Sequence, residues 1–324
     1  MLGNLGDQCG VVLSQDIPGL TRVYHNHHLD STRWEEYRPR EGDIIVTTAY
    51  KAGTTWTQQI LYEMFYGRLD PRPDFKDVSP WPDARFPKIS RDQLAEQLET
   101  IPGRRYIKSH LPLDGLPYYE QVEYFIVARD PRDVFMSFYN HYSRYTETAL
   151  SMMNAPGVEG DPLPPCPKDP RELWREWINR GWFEWESEGY PFWANLGHTA
   201  SYWRYRHLSN FHFFHYNDML KDPSGAVRRM ASAASFKLKA GDLERVLKKT
   251  NFDYVKTIAR EMDSKADPFA TIFEGGSDGF FHRGTNGRWK NLLTENDLMM
   301  YQAAKARVLT DECAEWLELG GEIK

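Results

Sequence analysis

Gly42-Asp43-Ile44-Ile45-Val46-Thr47-Thr48-Ala49-Tyr50-Lys51-Ala52-Gly53-Thr54-Thr55-Trp56 contains, in order, a strand, a tight loop and the start of a helix. Ile44 to Thr48 is short, apolar and β-branched behind a glycine, the pattern of a buried strand. Beyond the loop, Trp56, Ile60, Leu61, Met64 and Phe65 recur at helical spacing along one face. Amides freed at a helix start point outward, the helix dipole favours an anion there, and Lys51 adds a full charge. The stretch therefore reads as a phosphate cradle. It is not a Walker loop, because the lysine precedes the only glycine. Taken alone, it fits an ordinary strand-to-helix turn with a solvated lysine equally well.

Bulk properties narrow the class. Hydrophobic residues at 41% and charged residues at 27% of 324 are ordinary for a globular chain. A mean hydropathy of -0.65 and the lack of an apolar run of bilayer length argue against a membrane span. No basic-then-apolar leader opens the sequence, so a cytoplasmic protein is expected. Cys9, Cys166 and Cys313 lie far apart and match no metal spacing; reduced thiols and no metal are expected. A net charge of -6 argues against nucleic-acid partners, so an anion site has to be built locally.

Strands are expected at about 43–48, 105–109, 123–128 and 211–216, separated by segments long enough for helices. That alternation predicts an α/β fold, a mainly parallel sheet covered by helices on both faces in three layers. Residues 1–40 read as a polar arm, with His25, His27 and His28 expected in solvent rather than on a metal. Residues 146–172, rich in proline, read as an irregular insertion that could serve as a lid. Trp174 and Trp177, of the series Trp174, Trp177, Trp182 and Trp185, share a helical face and read as packing residues. The whole chain, 1–324, reads as one domain with its motifs between about 40 and 295.

Two further segments suit anions. Tyr124-Phe125-Ile126-Val127-Ala128 is a buried-strand run ending in Arg129-Asp130-Pro131-Arg132-Asp133. Asp130 suits an N-cap and Pro131 the first helical position, which leaves Arg129 at the carboxyl end of a strand, where open α/β sheets bind ligands. Ser137 lies further along that helix. The segment Phe280-Phe281-His282-Arg283-Gly284-Thr285-Asn286-Gly287-Arg288-Trp289-Lys290-Asn291 combines glycines with basic groups, and can wrap an anion or lie solvated.

These three elements, in this order, resemble the cytosolic sulfotransferases, which take a sulfuryl group from 3′-phosphoadenosine-5′-phosphosulfate (PAPS). Tyr50 to Trp56 follow the family's Y-P-K-S-G-T-T-W loop, Arg129 to Ser137 its R-[DN]-x-[RK]-D-x-x-x-S segment, and Phe280 to Asn291 its F-x-R-K-G-x-x-G-D-W-K-N loop. Tyr106 to Leu113 resemble I-K-T-H-L-P-L, His215 to Met219 resemble F-Y-E-D-M, and Thr250-Asn251-Phe252 resemble T-S-F. The general look is that of bacterial members, including mycobacterial glycolipid-type enzymes.

The resemblance implies a P-loop-like nucleotide-binding architecture and in-line transfer to the hydroxyl, less readily the amine, of a small or amphipathic acceptor such as a phenol, sterol or glycolipid. It implies His110 as general base, with Lys51 on the bridging oxygen and Lys108 on the sulfuryl oxygens. Ser137 would bind the 3′-phosphate and restrain Lys51. Ala52, Gly53, Thr54 and Thr55 would surround the 5′-phosphate, and Arg129, Ser137, His282, Arg283 and Gly284 the 3′-phosphate. Trp56, Tyr216, Thr250 and Phe252 would meet the adenine. PAPS is then co-substrate, adenosine 3′,5′-bisphosphate (PAP) is product, and no metal is needed. His141 is the rival base.

Departures stand out too. Tyr50 replaces the loop proline, Ala52 the serine, His282-Arg283 the usual Arg-Lys, and Arg288 an aspartate. Of the family's dimer motif only Lys290 and Thr294 remain, so the oligomeric state stays open. The alternative function is a nucleotide-binding sensor or scaffold without catalysis; retention of Lys51, Lys108 and His110 favours the enzyme.

Overall fold

The computed structural model describes residues 17–85, 89–155, 161–263, 271–281 and 284–323. Its sheet has four strands, β1 (Ile44–Thr48), β2 (Tyr106–Ser109), β3 (Glu123–Ala128) and β4 (Phe211–His215), in the order β2-β1-β3-β4. Every pairing is parallel, with Ile45 opposite Ile107 and Tyr124, and Phe125 opposite His212. The expected strands are thus found to within a residue or two at their ends. All four carboxyl ends lie on the same edge; His110 and Arg129 follow directly after β2 and β3, and Lys51 lies in the loop after β1.

Side-chain alternation divides the sheet between two cores. Ile44, Val46, Tyr106, Phe125, Val127 and Phe214 pack with helix α1 (Thr54–Tyr66), through Ile60, Leu61 and Met64. Ile45, Ile107, Tyr124, Ile126 and Phe213 pack on the other face. There they meet helix α2 (Pro131–Tyr142), through Val134, Phe135 and Phe138, and helix α3 (Pro170–Asn179), through Trp174 and Trp177. Both tryptophans are fully buried, as their shared face predicts, whereas Trp185 is exposed. The result is the expected helix–sheet–helix sandwich. No helix among the described residues is long and apolar enough to cross a membrane.

A buried ion pair fixes the opposite edge. Arg105, just before β2, donates through Nε to Asp43 Oδ1 at 3.0 Å and through Nη2 to Asp43 Oδ2 at 2.5 Å. Its remaining donors reach the carbonyls of Leu98 and Arg38. Asp43 also accepts from Tyr37 Oη at 2.7 Å and Arg40 N at 2.9 Å, so both buried charges are fully occupied.

The amino-terminal segment corrects one expectation. Tyr24, Leu29, Trp34 and Tyr37 belong to the core, and His27 and His28 are buried rather than solvated. Aromatic side chains spaced through a polar stretch supply the buried area, and the polar atoms find local partners. Asn26 Oδ1 accepts from the amides of His28 and Leu29, and Tyr24 Oη donates to Asp114. The described part of the proline-rich insertion also holds regular structure. It contains a helix, Glu147–Met153, capped by Thr146, and its Leu163 is buried.

Candidate active site

The loop between β1 and α1 carries unusual backbone angles. Lys51 has φ 63° and Gly53 φ 121°. A lysine in the left-handed region costs conformational energy and persists only where its surroundings hold it. At Gly53 a Cβ would stand 3.0 Å from the Tyr216 ring, so the glycine serves both φ and close approach. Thr54, buried at the first turn of α1, pairs through Oγ1 with Thr48 Oγ1 at 2.6 Å. Thr55 and Trp56 follow, half-buried.

Lys51 itself is enclosed. Its Nζ donates to His141 Nδ1 at 3.2 Å and sits 4.6 Å from the centre of the Phe280 ring. Burial, with Lys108 and Arg129 nearby, brings the amine down to about 7. The structure also explains the neighbouring departures. Tyr50 points away from the cradle into the core, where its Oη accepts from Trp177 Nε1 at 2.6 Å and donates to the Gly189 carbonyl at 3.3 Å. Ala52 is fully buried, in the same core cluster as Tyr50.

At the end of β2, Lys108 and His110 face the same side, as strand alternation requires. Trp81 meets both, with Lys108 Nζ 3.7 Å from its ring centre and the His110 ring 5.0 Å away, edge to face. Trp81 is held in turn by Nε1 donating to Asp83 Oδ2 at 2.8 Å. Burial lowers Lys108 to about 8, against the opposing pull of buried Asp83. Burial, and then Lys108, push His110 well below the usual 6.5. Its Nδ1 lies 2.8 Å from the Thr48 carbonyl, which can only accept. That contact assigns the proton to Nδ1 and leaves Nε2 with its lone pair.

Arg129, at the end of β3, is buried over the Tyr216 ring at 4.3 Å. Its fork donates to Asn286 Oδ1 through Nε at 3.0 Å and Nη2 at 2.5 Å, and Nη2 also reaches the Thr285 carbonyl. The late loop is thereby tied to the start of α2, where Asp133 accepts from the Gly287 amide at 2.6 Å and Arg132 stacks on Trp289. Gly284 (φ 63°) closes against Phe252, since a Cβ there would lie 3.1 Å from that ring. Tyr216 Oη donates to the Gly284 carbonyl at 3.5 Å, and Trp56 stands edge-on to Tyr216 at 5.6 Å. Thr250 is buried, its hydroxyl donating to the Val246 carbonyl. His282 and Arg283 lie outside the described residues.

Ser137 is half-buried on α2, one turn before His141. Among the described residues it makes no hydrogen bond to Lys51; His141 does. The same bond weakens His141 as a base, because Nδ1 takes Lys51 and Nε2 contacts Tyr145 Oη at 3.1 Å. Sequence reasoning gave no individual role to Trp81, Tyr145, His28 or Asn286. Asn286 carried a signal, as part of the Phe280–Asn291 segment; His28 and Tyr145 reach the site from segments far along the chain.

A sulfotransferase-domain family model matches residues 41–311, most of the chain. The chain belongs to the sulfotransferase family. Among curated relatives, this sulfotransferase is 29% identical to a glycolipid sulfotransferase of Mycobacterium bovis, over 92% of this chain and 94% of that one. It is 27% identical to sulfotransferase 1B1 of the dog, covering 80% and 81% of the two chains. In fold it is similar to a mouse sulfotransferase, SULT7A1, crystallised with PAP (TM-score 0.63, 16% identity, 88% and 91% covered). A retinol dehydratase crystallised with retinol and PAP also gives a TM-score of 0.63, at 20% identity with 87% of each chain covered.

Proposed function

We propose that this sulfotransferase acts as a single domain, 1–324, and moves a sulfuryl group from PAPS to the hydroxyl of a small or amphipathic acceptor, with His110 as base. The observation that carries the reading is the convergence of Lys51, Lys108, His110 and Arg129 at the carboxyl ends of three adjacent parallel strands. Among the described residues neither Lys51 nor Arg129 is in an ion pair. Arg129 is buried and Lys51 half-buried, with Asp133 and Asp130 near Arg129 but in no ion pair with it, and cations so placed suit a polyanion. The buried Trp56 Nε1 has no partner among the described residues, which suits a ring-nitrogen acceptor of adenine.

When bound, PAPS supplies a sulfuryl group on a phosphate leaving group. The chain's part is positioning, charge and one proton. His110 Nε2 takes the acceptor's hydroxyl proton as the acceptor oxygen bonds to sulfur, and its Nδ1–H on the Thr48 carbonyl keeps the ring oriented. Lys51 meets the bridging oxygen whose bond to sulfur breaks, and Lys108 the sulfuryl oxygens. Thr54, Thr55 and the amides around Ala52 and Gly53 hold the 5′-phosphate. Arg129 and Ser137, with His282, Arg283 and Gly284, hold the 3′-phosphate. Trp56, Tyr216, Thr250 and Phe252 border the base. Trp81, Trp193 and Phe280 lie against His110 or Lys51, walls suited to an acceptor with an apolar body, such as a phenol, sterol or glycolipid.

The test is His110→Ala, with labelled PAPS and a panel of phenols, sterols and glycolipids. Transfer should fall by at least about 100-fold, as for loss of a general base, while PAP affinity stays within about twofold. Near-wild-type turnover in the variant would exclude His110 as base.

A further inference from the structure

Lys51 stands at one end of a line of side chains running from the active site into the amino-terminal segment. Its Nζ is 3.2 Å from His141 Nδ1, and His141 Nε2 is 3.1 Å from Tyr145 Oη. Tyr145 Oη is 3.3 Å from His28 Nε2, and His28 Nδ1 contacts His27 Nδ1. His27 Nε2 ends the line on the Pro191 carbonyl, at 2.8 Å.

With neutral rings the Pro191 carbonyl end sets the direction of every proton, and the charged form of Lys51 agrees with it at the other end. A lysine ammonium only donates and a carbonyl only accepts. His141 must then receive at Nδ1 and carry its proton on Nε2, for Tyr145. Tyr145 passes its own to His28 Nε2, His28 donates from Nδ1 to His27, and His27 from Nε2 to Pro191. One tautomer of each ring satisfies all five contacts. Burial supports neutral rings throughout, since it lowers His27 to about 4 and pushes His28 and His141 well below 6.5.

We propose that His141, oriented by the Tyr145–His28–His27 relay, is the positioning residue of Lys51 and holds the amine aimed at the bridging oxygen of the donor. This rests on the reading of Lys51 as the leaving-group contact. The resemblance assigns that restraint to Ser137; here the residue one helical turn later takes it. Aromatic walls enforce the arrangement, with His141 packed on Phe273 at 4.7 Å and Phe280 at 5.7 Å, and Tyr145 on Phe273 at 5.5 Å. A ring so enclosed keeps its nitrogens where the relay places them. His141 touches Lys51 and not the reacting atoms, so its role is indirect.

Three variants test the relay. Tyr145→Phe keeps the packing and removes only the hydroxyl. His141→Gln retains an amide oxygen for Lys51 and an amide donor for Tyr145, whereas His141→Phe fills the space with no polar atom. His141→Phe and Tyr145→Phe should each lower kcat about tenfold or more with PAP affinity within about twofold, and His141→Gln should restore kcat to within about threefold of wild type. If His141 merely fills space, phenylalanine will match or outperform glutamine, and the proposal fails.

A second readout needs neither donor nor acceptor. Competitive acylation followed by mass spectrometry gives the titration midpoint of Lys51 among the groups that face it: Lys108 on β2, His110 just after it, Arg129 after β3, His141 on α2 and the Phe280 ring. His141→Phe should lower that midpoint, because the ammonium loses its acceptor, and His141→Gln should preserve it. An unchanged midpoint in His141→Phe overturns the relay even if sulfuryl transfer is established. A shifted midpoint supports it even if the donor assignment fails.

Discussion

Binding of PAP to this enzyme at pH 8 should draw protons from the buffer. Lys51 titrates at about 7 and Lys108 at about 8 in the free protein, both against an ordinary 10.5, because burial removes the water that stabilises their charge. The phosphates of PAP reverse that balance at Lys51, which meets the bridging oxygen, and through the nearby charge at Lys108, so in the limit both amines are protonated in the complex. With these values the limiting uptake at pH 8 is about 1.4 protons per site, most of it at Lys51, and at pH 6 it falls to about 0.1. The ligand contributes little at pH 8, since the second ionisation of a phosphate lies at about 6. The affinity should weaken between pH 7 and 9 by as much as about 500-fold, the limit for two fully coupled lysines.

The assay is calorimetric titration with PAP in buffers of different ionisation enthalpy, where the slope of observed heat against that enthalpy counts protons. Lys51→Arg supplies the control, because a guanidinium stays charged and should remove about 0.9 of the uptake at pH 8. The sign for stability follows from the same shift. A lysine whose folded value lies below its unfolded one costs stability at low pH, so the free protein gains stability as pH rises from about 7 towards 10.5. Zero uptake at pH 8, or release of protons, would refute the picture of two desolvated amines waiting for an anion.

Three other outcomes follow from named contacts. Arg129→Ala should weaken PAP binding by about 1.5–3 kcal/mol, the usual worth of hydrogen bonds to a charged group, and unchanged affinity by calorimetry would remove it from the phosphate site. Asp43→Ala leaves buried Arg105 with only the half-exposed Glu99, 3.7 Å away, as counter-charge and should cost about 3–5 kcal/mol in urea unfolding; a loss below about 1 kcal/mol, the worth of a surface pair, would contradict the burial. Tyr50→Phe orphans Trp177 Nε1 in the core and should cost about 1–3 kcal/mol of stability, whereas a variant as stable as wild type would show that bond to be dispensable.

The fold was legible because its signals are local. Ile44–Thr48 and Glu123–Ala128 are near-continuous apolar runs, as strands buried on both faces must be, and Asp130-Pro131 marks the start of α2 as cleanly in the structure as in the sequence. The amino-terminal segment misled for the opposite reason. Its histidines look like surface residues because their partners, Pro191 and Tyr145, are far away along the chain.

For the site, the sequence by itself determined which chemistry each loop can offer. Lys51, Lys108, His110 and Arg129 could be placed at strand ends because side-chain alternation and helix-start patterns are short-range properties of the chain. Only the tertiary structure decided what those groups are. Burial turned two ordinary lysines into amines titrating near neutrality, and the Thr48 carbonyl chose which nitrogen of His110 keeps a lone pair. Packing of α2 against the amino-terminal segment gave Lys51 to His141 rather than to Ser137. Dielectric surroundings and hydrogen-bond partners come from residues brought together by folding, and no spacing along a chain encodes them locally.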